Sequence, residues 1–208
     1  MTQTAHPPTF DAARAELRAA ELDLMLARER VAAARRDLPP GPVTDDYEFA
    51  SPAGSVRLSE LFVDDRPLVL YHFMYGKQQQ SPCPMCAMWA DAWNAVAHHV
   101  AENLDFHLVS AAPIDETLAL ADERGWTDLQ WLSAHESTFK LDIGGENAEG
   151  GQWPFVSVWE RGDDGPRLAY ATSAQIEGDH WRGLDLLSPV WHLLDLTRPG
   201  RGDWMPST

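Results

Sequence analysis

Cysteine is scarce in this chain, and its scarcity sets the first limits. Among 208 residues only Cys83 and Cys86 occur, so no disulfide framework holds the fold and no second pair exists to complete a four-thiolate zinc site. Basic residues are also few. The 16 Lys and Arg stand against 32 Asp and Glu, and the resulting formal charge of −16 repels nucleic acid and anionic membrane surfaces. No apolar run reaches the roughly eighteen residues of a spanning helix. The N-terminus, Met1-Thr2-Gln3-Thr4-Ala5-His6-Pro7-Pro8, lacks the basic start and apolar core of a secretory signal. These absences together predict a cytoplasmic protein without nucleic-acid or membrane partners. Thiols stay reduced in that compartment, so a cysteine pair there is catalytic, sensing or metal-binding rather than a structural staple.

What is present is the placement of that pair. Ser81-Pro82-Cys83-Pro84-Met85-Cys86 follows the apolar run Leu68-Val69-Leu70-Tyr71-His72-Phe73 and precedes a helical pattern. A thiol in the first turn of a helix meets unsatisfied N–H groups and the positive end of the helix dipole, which favour thiolate over thiol. Pro84 suits the first helical position, where a missing N–H removes nothing the helix needs. The alternatives are metal ligation by the pair and a pair that is an inert remnant. Eight histidines are available, but His98 and His99 are neighbours and do not form an i, i+4 ligand couple.

The rest of the chain reads as an arm and one α/β domain. Residues 1–42 hold a long amphipathic helix, Phe10 to Leu38, in which Leu17, Leu24 and Val31 recur at sevens, closed by the stiff Pro39-Pro40-Gly41-Pro42. An arm of this kind is a candidate surface for a homodimer. From 43 to 208 the order begins with a hairpin around Pro52-Ala53-Gly54, a short helical turn at Ser59 to Phe62, the strand Leu68 to Phe73 and the cysteine helix. Trp89, Trp93, Val96 and Val100 line that helix's inner face. A strand Leu104 to Val109 and a helix opened by Pro113 and stopped by Gly125 follow. The pattern from Trp126 to Gly151 is weak, with a short helix at Ser137 to Leu141. A hairpin, Pro154 to Trp159 with Arg167 to Ala171, precedes a closing helix Trp181 to Leu196 bent at Pro189. Strands alternating with helices over short joints predict parallel strands.

This order is that of the thioredoxin fold. The chain resembles the bacterial domain of unknown function 899 family, described as predicted dithiol–disulfide oxidoreductases of thioredoxin-like fold. The likeness is carried by Tyr71-His72-Phe73-Met74-Tyr75-Gly76, by Cys83-Pro84-Met85-Cys86 with Trp89-Ala90-Asp91, and by Arg182-Gly183-Leu184-Asp185-Leu186-Leu187 with Leu194-Asp195-Leu196-Thr197. The expected fold class is α/β, thioredoxin-like, with an N-terminal helical arm and a peroxiredoxin-type hairpin. The resemblance implies that Cys83 attacks, that Cys86 resolves, and that Pro154 supplies a cis-proline facing the pair, a bond only about 0.5–1 kcal/mol above trans.

The expected activity is thiol–disulfide exchange without a cofactor. Its partners are a disulfide-containing protein or small thiol substrate, and a thiol reductant that restores the pair. Pro-Met between the cysteines lacks the imidazolium of strongly oxidising relatives, so the potential is expected at roughly −180 to −270 mV. His72 and Asp91 are the ionisable candidates for moving the Cys86 proton. Two alternatives stay open. The hairpin is also similar to that of peroxiredoxins, although Gln80 and Gly76 stand where that family has Thr or Ser and Pro. A metal or small-ligand binder would use the cysteine pair with His72, His98 or His107.

Overall fold

Five residues, Leu68–His72, form the strand on which the domain is built (β3), and their alternation assigns one set of side chains to each face of the sheet. Val69 and Tyr71 pack with Phe73 into a cluster that holds both cysteines, Trp89, Trp126 and Trp131. Leu68 and Leu70 pack on the other side with Phe49, Val109, Leu132, Phe139 and Trp159. Both faces are covered, which explains the near-continuous apolar run. The computed structural model describes residues 9–64, 66–178 and 181–207; the Met1–Pro8 segment lies outside them. The chain divides into two units, one ending at Pro40 and one beginning at Gly41.

The first unit is the helix α1 (Phe10–Arg36), capped by Thr9, whose Oγ1 accepts from the Ala12 N–H at 3.3 Å, with Asp11 in its first turn and Arg35 and Arg36 in its last. Those charges match the helix dipole at each end. Leu17, Leu24 and Val31 stay half exposed.

The second unit is a seven-stranded sheet in the order β2-β1-β5-β4-β3-β6-β7. Its strands are β1 (Glu48–Ser51), β2 (Gly54–Arg57), β3, β4 (Asp105–Ser110), β5 (Gln130–Ser133), β6 (Phe155–Gly162) and β7 (Gly165–Ser173). β3, β4 and β5 are parallel, Leu70 standing beside His107 and Leu108 beside Trp131. β6 and β7 add antiparallel on one side, and the β1–β2 hairpin adds antiparallel beside β5 on the other. The helices α2 (Pro84–Ala101) and α3 (Ile114–Arg124) supply the crossovers between parallel strands. Gly125 ends α3 at φ 71°, the left-handed turn that glycine adopts without strain.

The structure corrects the expected pattern twice. β5 lies in the stretch with weak periodicity, because a four-residue strand whose last three positions are buried carries no alternation to detect. The expected closing helix is instead a 3₁₀ turn, Asp185–Leu187, followed by α5 (Pro189–Leu194). Pro189 begins a helix at the position where its missing N–H is harmless, with Ser188 extended before it, rather than bending one. The short helix of the weak stretch is α4 (Phe139–Asp142).

Candidate functional site

The site is built where β3 ends and α2 begins. Between them, residues 73–83 form a loop folded back on itself, with Gly76 and Gln79 exchanging backbone hydrogen bonds of 2.8 and 3.0 Å. Gly76 has φ 92°, and a Cβ there would stand 2.2 Å from the Ala112 nitrogen, so a side chain is excluded by both conformation and space. The loop is also gripped from outside. Lys77 pairs with Glu146 at 2.5 Å, Gln78 donates to the Glu149 carbonyl, and Gln152 Nε2 donates to the Gly76 carbonyl at 2.9 Å.

Cys83 is the N-cap of α2, with extended backbone, and its own N–H donates to the Met74 carbonyl at 3.1 Å. The Cys86 side chain and the backbone N–H groups of Cys86 and Met85 are the donors that favour its thiolate, although no capping hydrogen bond of standard geometry forms. The Cys86 hydrogen bond leads in lowering the Cys83 pKa to about 6, burial opposes it, and the two backbone donors assist. No acidic residue occupies the first turn of α2. The two cysteines are unbridged and unequal: Cys83 keeps 6% of its surface exposed and Cys86 none.

Cys86 is sealed one turn inside. Tyr71 Oη donates to its sulfur at 3.0 Å, and the Met74 backbone N–H also hydrogen-bonds it. Burial first, then Cys83, push the Cys86 thiol well above the ordinary range. Tyr71 is held edge-on by Trp89 and Trp93, with ring centroids 5.5 and 4.7 Å away, so its hydroxyl is aimed by packing. The far side of its ring borders an apolar cavity of about 260 Å³ lined by Val69, Trp93, Phe106, Val156 and Leu187. A larger cavity of about 620 Å³, between the β1–β2 hairpin and the start of α3, is lined by neither cysteine.

Of the four residues singled out from the sequence, the structure brings Cys83 and Cys86 together and gives the others different settings. His72 points away from Tyr71 across the strand. It stacks on Phe139 at 5.3 Å and its Nε2 meets Ser157 Oγ at 3.2 Å; burial and the nearby Lys140 hold its pKa well below the ordinary histidine value. Strand alternation thus hands the contact with Cys86 to Tyr71, the residue before. Pro154 is corrected as well. Every peptide bond among the described residues is trans, Trp153–Pro154 included, which is the cheaper isomer, and the Pro154 carbonyl extends the β6–β7 pairing by accepting from the Ala174 N–H at 3.2 Å. Pro154 lines a separate cleft with Gly144, Trp153 and Trp181. Asp91 serves structure, accepting from Trp126 Nε1 at 2.7 Å and from Arg124 at 3.2 Å. Among the described residues no group of three or more His, Cys, Asp or Glu side chains gathers as a metal site, and no helix is long and apolar enough to cross a membrane.

Tyr71, Lys140 and Gln152 join the site without having been expected there. Tyr71 was recoverable, since a strand entering the cysteine helix presents alternate residues to it. Lys140 lies in the weakly patterned stretch and Gln152 directly after it, where nothing local marks them as buried.

The family model described as bacterial protein of unknown function (DUF899) matches residues 1–207. No curated protein matches the sequence. Among solved structures, a cysteine-to-serine mutant of Xylella fastidiosa PrxQ is similar at TM-score 0.52 and 15% identity, covering 72% of this chain and 93% of that one. A cysteine-to-serine mutant of Xanthomonas campestris peroxiredoxin Q is similar at TM-score 0.50 and 14% identity, covering 66% and 86%. These likenesses establish the thioredoxin-like fold with its N-terminal hairpin.

Proposed function

We propose that this chain, which belongs to the DUF899 family of bacterial proteins, is a dithiol–disulfide oxidoreductase in which Cys83 attacks and Cys86 resolves. The observation that carries this reading is the asymmetry of the pair: a slightly exposed, readily ionised sulfur at a helix N-terminus, with its partner sealed one turn inside. The Cys83 thiolate attacks a partner disulfide and forms a mixed disulfide, releasing one partner thiolate. Cys86 then attacks the Cys83 sulfur, closing the Cys83–Cys86 bond and releasing the second. Two electrons pass from the dithiol to the partner, and a thiol reductant restores the pair. With its thiolate stabilised, the dithiol form is favoured, which fits a potential at the less reducing end of roughly −180 to −270 mV.

Trapping tests this directly. Cys86→Ser, incubated with a protein disulfide such as oxidised insulin, accumulates a mixed disulfide through Cys83, visible as a mass adduct released by reductant; Cys83→Ser gives none. The reading is lost if the Cys86→Ser protein stays unmodified while its Cys83 reacts with iodoacetamide. Oxidation of Cys83 by hydrogen peroxide faster than by any disulfide would instead favour a peroxidase.

A further inference from the structure

The chain has two lysines, Lys77 and Lys140, while arginine supplies its other basic residues. Lys77 belongs to the cysteine loop and Lys140 lies beneath it, each in polar contact with the 146–152 segment. Lys140, on α4, is 1% exposed. Its Nζ donates to the Phe73 carbonyl at 3.2 Å and to Gln152 Oε1. Gln152 in turn donates to the Gly76 carbonyl, and Lys77 pairs with Glu146. A primary amine in this position is chemically distinct from a guanidinium, because lysine gives up its proton on burial and arginine does not.

The Phe73 carbonyl and the Met74 N–H belong to one peptide unit. On its oxygen side that unit accepts from Lys140; on its nitrogen side it donates to the Cys86 sulfur. A cation at the carbonyl polarises the peptide and strengthens the opposite N–H as a donor, an effect enlarged in a dry interior. We propose that Lys140 is the positioning cation of the dithiol, acting through the Phe73–Met74 peptide to stabilise negative charge on the Cys86 sulfur and so to drive the resolving step. This rests on the oxidoreductase reading given above.

The electrostatic setting supports it. Burial lowers the Lys140 pKa to about 7, while Glu146 and then Cys86 raise it and Lys77 opposes them. His72, on β3, is held neutral partly by Lys140. Glu146 is engaged by Lys77 through Oε1, and its Oε2 has no partner. In the resolving step the Cys86 thiolate attacks the Cys83 sulfur. The Cys83–partner bond breaks with its electron pair on the partner sulfur, and the proton that Cys86 gave up ends on that departing thiolate.

A dithiobis(nitrobenzoate) disulfide separates the two steps, because each thiolate it releases absorbs visible light. The first release reports Cys83 and the second reports Cys86. Lys140→Met is expected to lower the ratio of the second rate to the first about tenfold or more at neutral pH; an unchanged ratio in the folded variant overturns the proposal. Absence of the first release in the unaltered protein would instead defeat the oxidoreductase reading. Should Lys140→Met fail to fold, side-chain amine NMR on the unaltered chain decides the matter, with two lysines to resolve and Lys77→Arg to assign them. The Lys140 midpoint is expected higher in the dithiol protein than in the disulfide protein, and equal midpoints overturn the proposal.

Discussion

Two helices of this domain begin in the same way and finish their N-termini differently. α2 and α3 each follow a strand of the parallel set and each have a proline at the N-terminus, Pro84 as the first residue of α2 and Pro113 as the N-cap of α3. In α3 the first turn carries Asp115 and Glu116, and the Thr117 hydroxyl donates to the Pro113 carbonyl at 3.1 Å. In α2 the first turn holds no acid, and the N–H groups of Met85 and Cys86 help to lower the Cys83 pKa. One terminus neutralises itself with carboxylates; the other leaves its dipole to a thiolate. The approach differs too. Ile114 starts α3 four residues after β4 ends, whereas residues 73–83 intervene before α2 and are held by the 144–153 segment as well as by their own backbone bonds.

That contrast can be broken at the loop with the largest effect. Gly76→Ala forces a β-carbon against the Ala112 backbone at a left-handed φ, and a loss of about 2–3 kcal/mol in unfolding free energy is expected, measured by urea denaturation. A loss under about 0.5 kcal/mol would show that the loop adapts and does not aim the cysteines.

The contrast can next be erased by giving α2 the acid that α3 has. In the unaltered protein the alkylation rate of Cys83 should rise through about pH 6 and level off above it, since thiolate dominates above the pKa and thiol below; an isolated cysteine would rise near pH ~8.5. Met85→Glu places a carboxylate beside the sulfur, and like charge should move that midpoint up by about one unit. An unmoved midpoint would mean the N-terminal field does not set the ionisation. The converse change is the smallest. Removing the charges of α3 with Asp115→Asn and Glu116→Gln should cost about 0.5–1 kcal/mol of stability and leave the alkylation profile of Cys83 in place, so a shifted profile would couple the two termini.

The thiol end of the site is legible in the sequence, because Ser81 to Cys86 lies between an apolar strand and a helical pattern, and position in a helix is a local property. His72 misled for an equally local reason: it is the ionisable residue at the strand's end, and the two-residue repeat that turns it away from α2 turns Tyr71 toward it. Pro154 was placed by resemblance, and the ladder bond from Ala174 to its carbonyl depends on a pairing between strands that no single segment records. β5 escaped because its burial comes from neighbours on both sides.

By itself, then, the chain determined its elements and its chemistry. The alternation of β3, the proline at the first position of α2 and the one pair of thiols are matters of residue type and spacing, and spacing is what a helix or a strand reads. Tertiary structure alone decided which thiol is reachable, which aromatic hydroxyl meets the sealed one, and that a lysine far along the sequence lies under the same peptide unit. Those outcomes depend on burial and on hydrogen bonds between segments tens of residues apart, where the cost of an unpartnered charge in a dry interior is set by the assembled surroundings and not by any neighbour in sequence.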